Sequence, residues 1–239
     1  MSEILKGLNN IPVRTWRWLG VNETNLKDKM PEIGEYYLKP LSKYEGEGYK
    51  VIDINKNNSS IRFFDNKKEL GVSETLTEIV TKNFNTGYLI EVEENKRIAE
   101  PLFFDYKMDS SNSILVDNNL IVAGENSEIT VVMKYSSTKG VEAFHSGLTK
   151  LYAKKGAKIN LVKVQLIEDD GIHLDAIAAA TEENGEINCV LVELGARNTI
   201  TSCKNDLISE NSKGNIYSIY LGDKDRTIDI NYVINHYGK

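Results

Sequence analysis

From about residue 88 onward the chain alternates hydrophobic and polar residues with a strand period. Residues 88–93, 102–108, 120–122, 129–135, 159–167, 172–181, 187–194, 199–208, 216–221 and 227–236 each read as a strand, separated by turns of Gly, Asn, Asp, Glu and Lys. No helix-length amphipathic segment lies between them, which argues against a doubly wound α/β sheet. Alternation is clearest at the end. Ile228, Ile230, Tyr232, Ile234 and His236 share one face, while Thr227, Asp229, Asn231, Val233 and Asn235 share the other. His236 is therefore expected to point inward as a hydrogen-bonded core histidine.

A repeat narrows the choice among β architectures. The turn-plus-strand string recurs as GENSEIT, KKGAKIN, ENGEIN and SKGNIY, with its isoleucine at 129, 159, 187 and 216. The steps are 30, 28 and 29 residues, and each holds two strands. A near-constant period suits one coil of a β-solenoid stacking on the next. A sandwich of antiparallel hairpins supplies strands and glycine turns but gives no reason for the period.

The first part of the chain has a different texture. Residues 12–19, PVRTWRWL, hold Trp16 and Trp18, which are expected to pack on the chain's own core or on a partner. Helical spacing in residues 27–41 is interrupted by Pro31, Gly34 and Pro40. Residues 49–54 and 60–65 read as short strands. Residues 73–83 read as a helix with Ser73 as N-cap and Glu78 four residues before Lys82. The expected organisation is a small mixed α/β region over residues 1–84, then a mainly β solenoid core over residues 85–239. Only three residues follow His236. Terminal coils need caps, so the core is expected to be truncated at its C-terminal end or covered there by another chain.

Composition narrows the function classes. The chain has 239 residues, 41% of them hydrophobic, with 35 acidic and 29 basic side chains and a net charge of -6. At this length folding buries roughly 70% of the unfolded surface, so a large core is available. There is no basic run to bind nucleic acid, and the apolar stretches are strand-sized, short of the ~20 residues of a membrane helix. The N-terminus carries Glu3 and Lys6 and does not resemble a secretory signal. With two cysteines, a cytoplasmic location is the expectation.

Candidate chemistry is sparse. Iron–sulfur clusters are usually held by four thiolates, whereas this chain offers Cys189 and Cys203. Cys189 shares a face with Ile187 and Leu191 and reads as a buried, inert thiol. Cys203 shares one with Thr199, Thr201 and Leu207, and is a candidate for a transient sulfur or metal role. The histidines form no metal set by spacing: His145 follows Phe144 in a loop or short strand, and His173 alternates with Asp175 and is expected to pair with it. Walker, Gly-x-Ser-x-Gly and His-Glu-x-x-His signatures are absent, so the chain reads as a scaffold and not an enzyme. Two other readings stand beside this one. The first is a polysaccharide-active β-helix enzyme using Asp169, Asp170 and Asp175; the second is a structural oligomerisation module.

Three stretches resemble the SufB/SufD family of iron–sulfur cluster assembly scaffolds: NLIVAGENSEITVVMKY at residues 119–135, TKLYAKKGAKINLVKVQ at 149–165, and YLGDKDRTIDINYVINHYG within 206–238. Residues 85–101 also fit the strand preceding that family's core. The PVRTWRWLG arm suits a SufD-type subunit better than SufB. The resemblance implies a right-handed parallel β-helix and a complex with a SufB-type scaffold and the SufC ATPase, besides a possible homodimer. SufC would supply ATP hydrolysis, and the SufD-type subunit would support cluster assembly and iron delivery. No cofactor is expected to bind stably; iron or a cluster would reside transiently on the assembled complex. Family members continue past this chain's end, through their functional Cys, Glu and His positions and the segment that binds SufC, so no residue here inherits those roles. Cys203 and His236, the latter matching the family's recurrent histidine, are the metal candidates.

Overall fold

The structure, a computed structural model, describes residues 5–9, 24–41, 45–54 and 73–238. Trp16, Trp18 and residues 60–65 lie outside them. Asparagine and glycine set the corners of the core. Asn95, Asn126, Gly156, Asn184 and Asn211 all have φ between 55° and 65°, a left-handed conformation that Gly and Asn adopt at least cost. Their amides bridge from coil to coil: Asn95 N–H to Glu125 O, Asn126 to Lys155, Gly156 to Glu183 and Asn184 to Glu210, at 2.8–3.1 Å. At Gly156 a β-carbon would also sit 2.4 Å from Asn126 Oδ1.

Between corners, each coil contributes one strand to each of two sheets. The first sheet runs β1 (Glu45–Gly46), β2 (Tyr49–Asp53), β3 (Tyr88–Val92), β5 (Ile114–Ala123), β7 (Phe144–Ala153), β9 (Ile172–Thr181), β11 (Asn198–Leu207) and β13 (Thr227–His236) in spatial order. The second runs β4 (Leu102–Met108), β6 (Glu128–Ser137), β8 (Lys158–Leu166), β10 (Glu186–Glu193) and β12 (Lys213–Tyr220). Pairing is parallel throughout, except that β1–β2–β3 is antiparallel and extends the first sheet. This is the β-solenoid that the period implied.

The repeat holds for three of its four isoleucines. Ile129, Ile159 and Ile187 stack directly. Ile216 does not join them: Gly214 lies opposite Ile187, and Ile216 lies opposite Cys189. In the fourth turn the left-handed residue is Asn211, three positions before Gly214, so aligning SKGNIY by its glycine displaces the register by two.

Helix α1 (Glu74–Asn83) forms as read: the Ser73 side chain accepts from Leu76 N–H, and Lys82 pairs with Glu78 at 3.0 Å. Its Leu76 and Val80 pack with Val116, Leu148 and Ala176 on the outer face of the first sheet. Strand β7 is therefore buried on both faces, which removes alternation from its sequence and explains why FHSGLTKLYA does not read as a ten-residue strand. Residues 27–41 form no helix.

Candidate functional site

Inside the solenoid, aliphatic rows give way to a column of rings and charges. In-register stacking places Asp117 opposite Gly147, and His145 opposite His173 on the next strand. Inward residues of β6, β8 and β10 close the other side with Tyr135, Lys163 and Glu193. Tyr106 stacks on Tyr135 with ring centroids 5.0 Å apart, Tyr135 lies 4.3 Å from the His145 ring, and His145 stacks on His173 at 4.6 Å. All of these side chains except Lys163, which is 3% exposed, have 2% exposure or less. Burying so many ionisable groups costs several kcal/mol per ion unless each is paired, so the pairing is the informative part.

A line of polar contacts runs through the column, hydrogen-bonded from Asp117 to His173 and ending on a Glu193 oxygen that accepts no hydrogen bond. Asp117 Oδ1 lies 2.6 Å from His145 Nε2, and His145 Nδ1 lies 2.7 Å from His173 Nδ1. His173 Nε2 faces Glu193 Oε2 at 3.5 Å, and Thr201 Oγ1 donates to Glu193 Oε1 at 3.1 Å. Asp117 Oδ2 accepts from Asn119 and from the Tyr135 hydroxyl. Beside this line, Lys163 Nζ donates to Asp175 Oδ1 at 2.7 Å and to Thr149 Oγ1 at 3.1 Å. Its ammonium also lies 5.1 Å from the Tyr135 ring centroid. Gly147 makes room for the ion pair: a β-carbon there would fall 2.6 Å from Asp175 Oδ1 and 3.0 Å from the His145 ring.

Burial and pairing compete at each group. Burial pushes the Asp117 carboxyl up, but the charge and hydrogen bond of His145, with Lys163 and Tyr135, outweigh it and hold that carboxyl below its usual range. For Asp175 burial wins over Lys163, and its pKa rises. Burial, then the nearby charges of His145 and Lys163, hold His173 well below the usual histidine range. Burial, aided by Asp175, pushes Glu193 up to about 8, against the hydrogen bond from Thr201. At neutral pH Glu193 is thus a carboxylic acid at one end of the line, and Asp117 a carboxylate at the other. The proton between the two Nδ1 atoms has an acceptor on either ring.

The residues singled out in the sequence fall elsewhere. Cys189 and Cys203 are fully buried on facing sheets. A hydrogen bond with Cys189, then burial, raises the Cys203 thiol, so Cys203 is not an activated thiolate. His236 has the inward register expected of it, opposite Leu207. It is exposed among the described residues, in which β13 is the last strand of its sheet. Its strand neighbour Tyr232, four residues earlier, is the one that lies opposite Cys203, so about 13 Å of strand separates the two metal candidates. His173 pairs with His145, not with Asp175. Asp169 sits on a surface loop bridging Lys224 and Arg226, so it shares no groove with buried Asp175, and the polysaccharide-active arrangement does not form. Among the described residues, no group of three or more His, Cys, Asp or Glu is arranged to hold a metal ion.

Sequence comparison bears on the same strands. The family described as "SUF system FeS cluster assembly, SufBD core domain" matches residues 106–239, more than half of the chain and the whole of the buried column. The chain belongs to the SufBD core domain family. Relatives of this SufBD chain include an iron–sulfur cluster assembly SufBD family protein of Staphylococcus epidermidis, 23% identical over 237 residues that cover 90% of this chain and 51% of the relative. Another, from Pyrococcus horikoshii, is 24% identical over 225 residues, covering 89% and 50%. The chain spans about half the length of the curated relatives it matches.

Proposed function

We propose that this chain is a SufD-like scaffold subunit of an iron–sulfur cluster assembly complex. It works beside a SufB-type scaffold, with ATP hydrolysis supplied by a SufC ATPase, and iron or the nascent cluster is cargo of the assembled complex. The observation that carries this reading is the SufBD core match over residues 106–239. The chain has no phosphate-binding Gly-x-x-x-x-Gly-Lys-Ser/Thr loop of its own, which suits a subunit that depends on a partner for ATP. Both thiols are buried, and that of Cys203 is held protonated, which suits support of a cluster built elsewhere.

An affinity tag on the chromosomal gene tests the proposal. Co-purification of a P-loop ATPase with a second β-solenoid subunit is expected. Recovery of neither, from cells expressing both, would overturn it.

A further inference from the structure

Glu193 holds an open oxygen inside the column. Its Oε1 accepts from Thr201, but Oε2 accepts no hydrogen bond, although the side chain is only 2% exposed. Oε2 faces His173 Nε2 at 3.5 Å, beyond the usual ~2.7–3.2 Å of an N–H···O hydrogen bond. That spacing is instead the one between two ligands on a single metal ion. Bonds of about 2.1 Å from nitrogen and from oxygen, meeting at a tetrahedral angle, set the two donors about 3.4 Å apart.

The surroundings suit the same reading. Asp117 is an acceptor, so neutral His145 donates to it from Nε2 and accepts at Nδ1 from the Nδ1–H of His173. The lone pair of His173 Nε2 is thereby left facing Glu193. Each donor is held from behind, His173 by His145 and Glu193 by Thr201, as metal ligands commonly are. Charge points the same way. Inside the column Asp117, Asp175 and Glu193 stand with a single ammonium, that of Lys163. Ionised, the three carboxylates exceed it by two charges, and buried charge is either paired or bound to metal. A proton on Glu193 removes one of the two; a divalent cation removes both.

We propose that His173 Nε2 and Glu193 Oε2 form a binding site inside the solenoid for a divalent transition-metal ion of the zinc type, which takes imidazole nitrogen and carboxylate oxygen together. Two protein ligands fall short of the groups of three or more that are absent among the described residues. Water or an incoming donor completes the shell, and the ion exchanges more readily than in a four-ligand structural centre. The site does not depend on the assembly role proposed above.

Co²⁺ alone, added to the purified chain until the visible spectrum is constant, tests this; Zn²⁺ is then added as competitor. The expected result is one Co²⁺ per chain, with d–d bands stronger than those of aqueous Co²⁺ and displaced by Zn²⁺. Glu193→Gln and His173→Gln should each abolish the bands, whereas His236→Gln, which changes an exposed histidine, should keep them. Thr201→Val releases the carboxylate from behind and should weaken binding about tenfold or more. It carries the test should circular dichroism show either ligand variant unfolded. Absence of the bands from the wild type would overturn the proposal. So would bands that survive in folded Glu193→Gln or His173→Gln, bands lost in folded His236→Gln, or an unchanged affinity in Thr201→Val.

Discussion

Replacing Glu193 by glutamine isolates the far end of the buried line. In the folded chain Glu193 keeps its proton up to about pH 8, because burial and then the Asp175 charge disfavour its carboxylate; its ordinary value is 4.5. Between those two values the native state binds more protons than the unfolded chain, so stability falls as pH rises. The slope approaches about 1.4 kcal/mol per pH unit. The stabilisation is fully present below pH 4.5 and lost as pH rises through 8, up to about 5 kcal/mol over the whole interval. The substituted glutamine retains an acceptor for Thr201 and cannot ionise. His173 has the opposite sign: its depressed pKa costs stability below pH 6.5, but it is common to both proteins and cancels to first order. Glu193→Gln should therefore gain on the wild type steadily from about pH 5 to pH 8, and the gap should then level off. Urea unfolding at unit pH intervals from 5 to 9 measures that gap. A difference that stays constant with pH would show that Glu193 is already ionised in the native chain, and the reasoning from burial would fail.

Other substitutions probe the remaining contacts. Lys163→Met strands the buried Asp175 carboxylate and should cost about 3–5 kcal/mol, with much of the loss recovered in Lys163→Met/Asp175→Leu; melting temperatures of the three proteins decide it, and a single-variant loss near zero would deny the ion pair. Gly147→Ala drives a methyl into Asp175 and the His145 ring and should cost about 1–3 kcal/mol in denaturant titration. Ser73→Ala removes the α1 cap and should cost about 1 kcal/mol, visible as faster amide exchange at Leu76.

Much of the solenoid was legible because its corners and strands repeat. The ~29-residue period survives as stacked Ile129, Ile159 and Ile187, and the Ser73 helix follows local capping rules. What was hidden has physical causes. Strand β7 lacks alternation because α1 helps bury its outer face while His145, Gly147 and Thr149 share its inner one with Leu151 and Ala153. The column combines side chains distant in sequence, and only coil stacking brings them together. A signal was nevertheless present: Asp117, His145 and His173 are spaced by 28 residues, one coil apart, which the period itself would have flagged. His236 kept its inward register, opposite Leu207, and that direction is what alternation reports.

Adjacent coils hold His145 and His173 in one dry N–H···N hydrogen bond, and the whole buried line rests on that contact. Nitrogen-15 NMR of histidine-labelled protein tests it most directly, by looking for scalar coupling between the two Nδ1 nuclei across the bond. A coupled pair that disappears in His173→Gln, while the fold persists, is the predicted result. Two uncoupled rings in the folded protein would contradict the stacking and the buried contacts built on it.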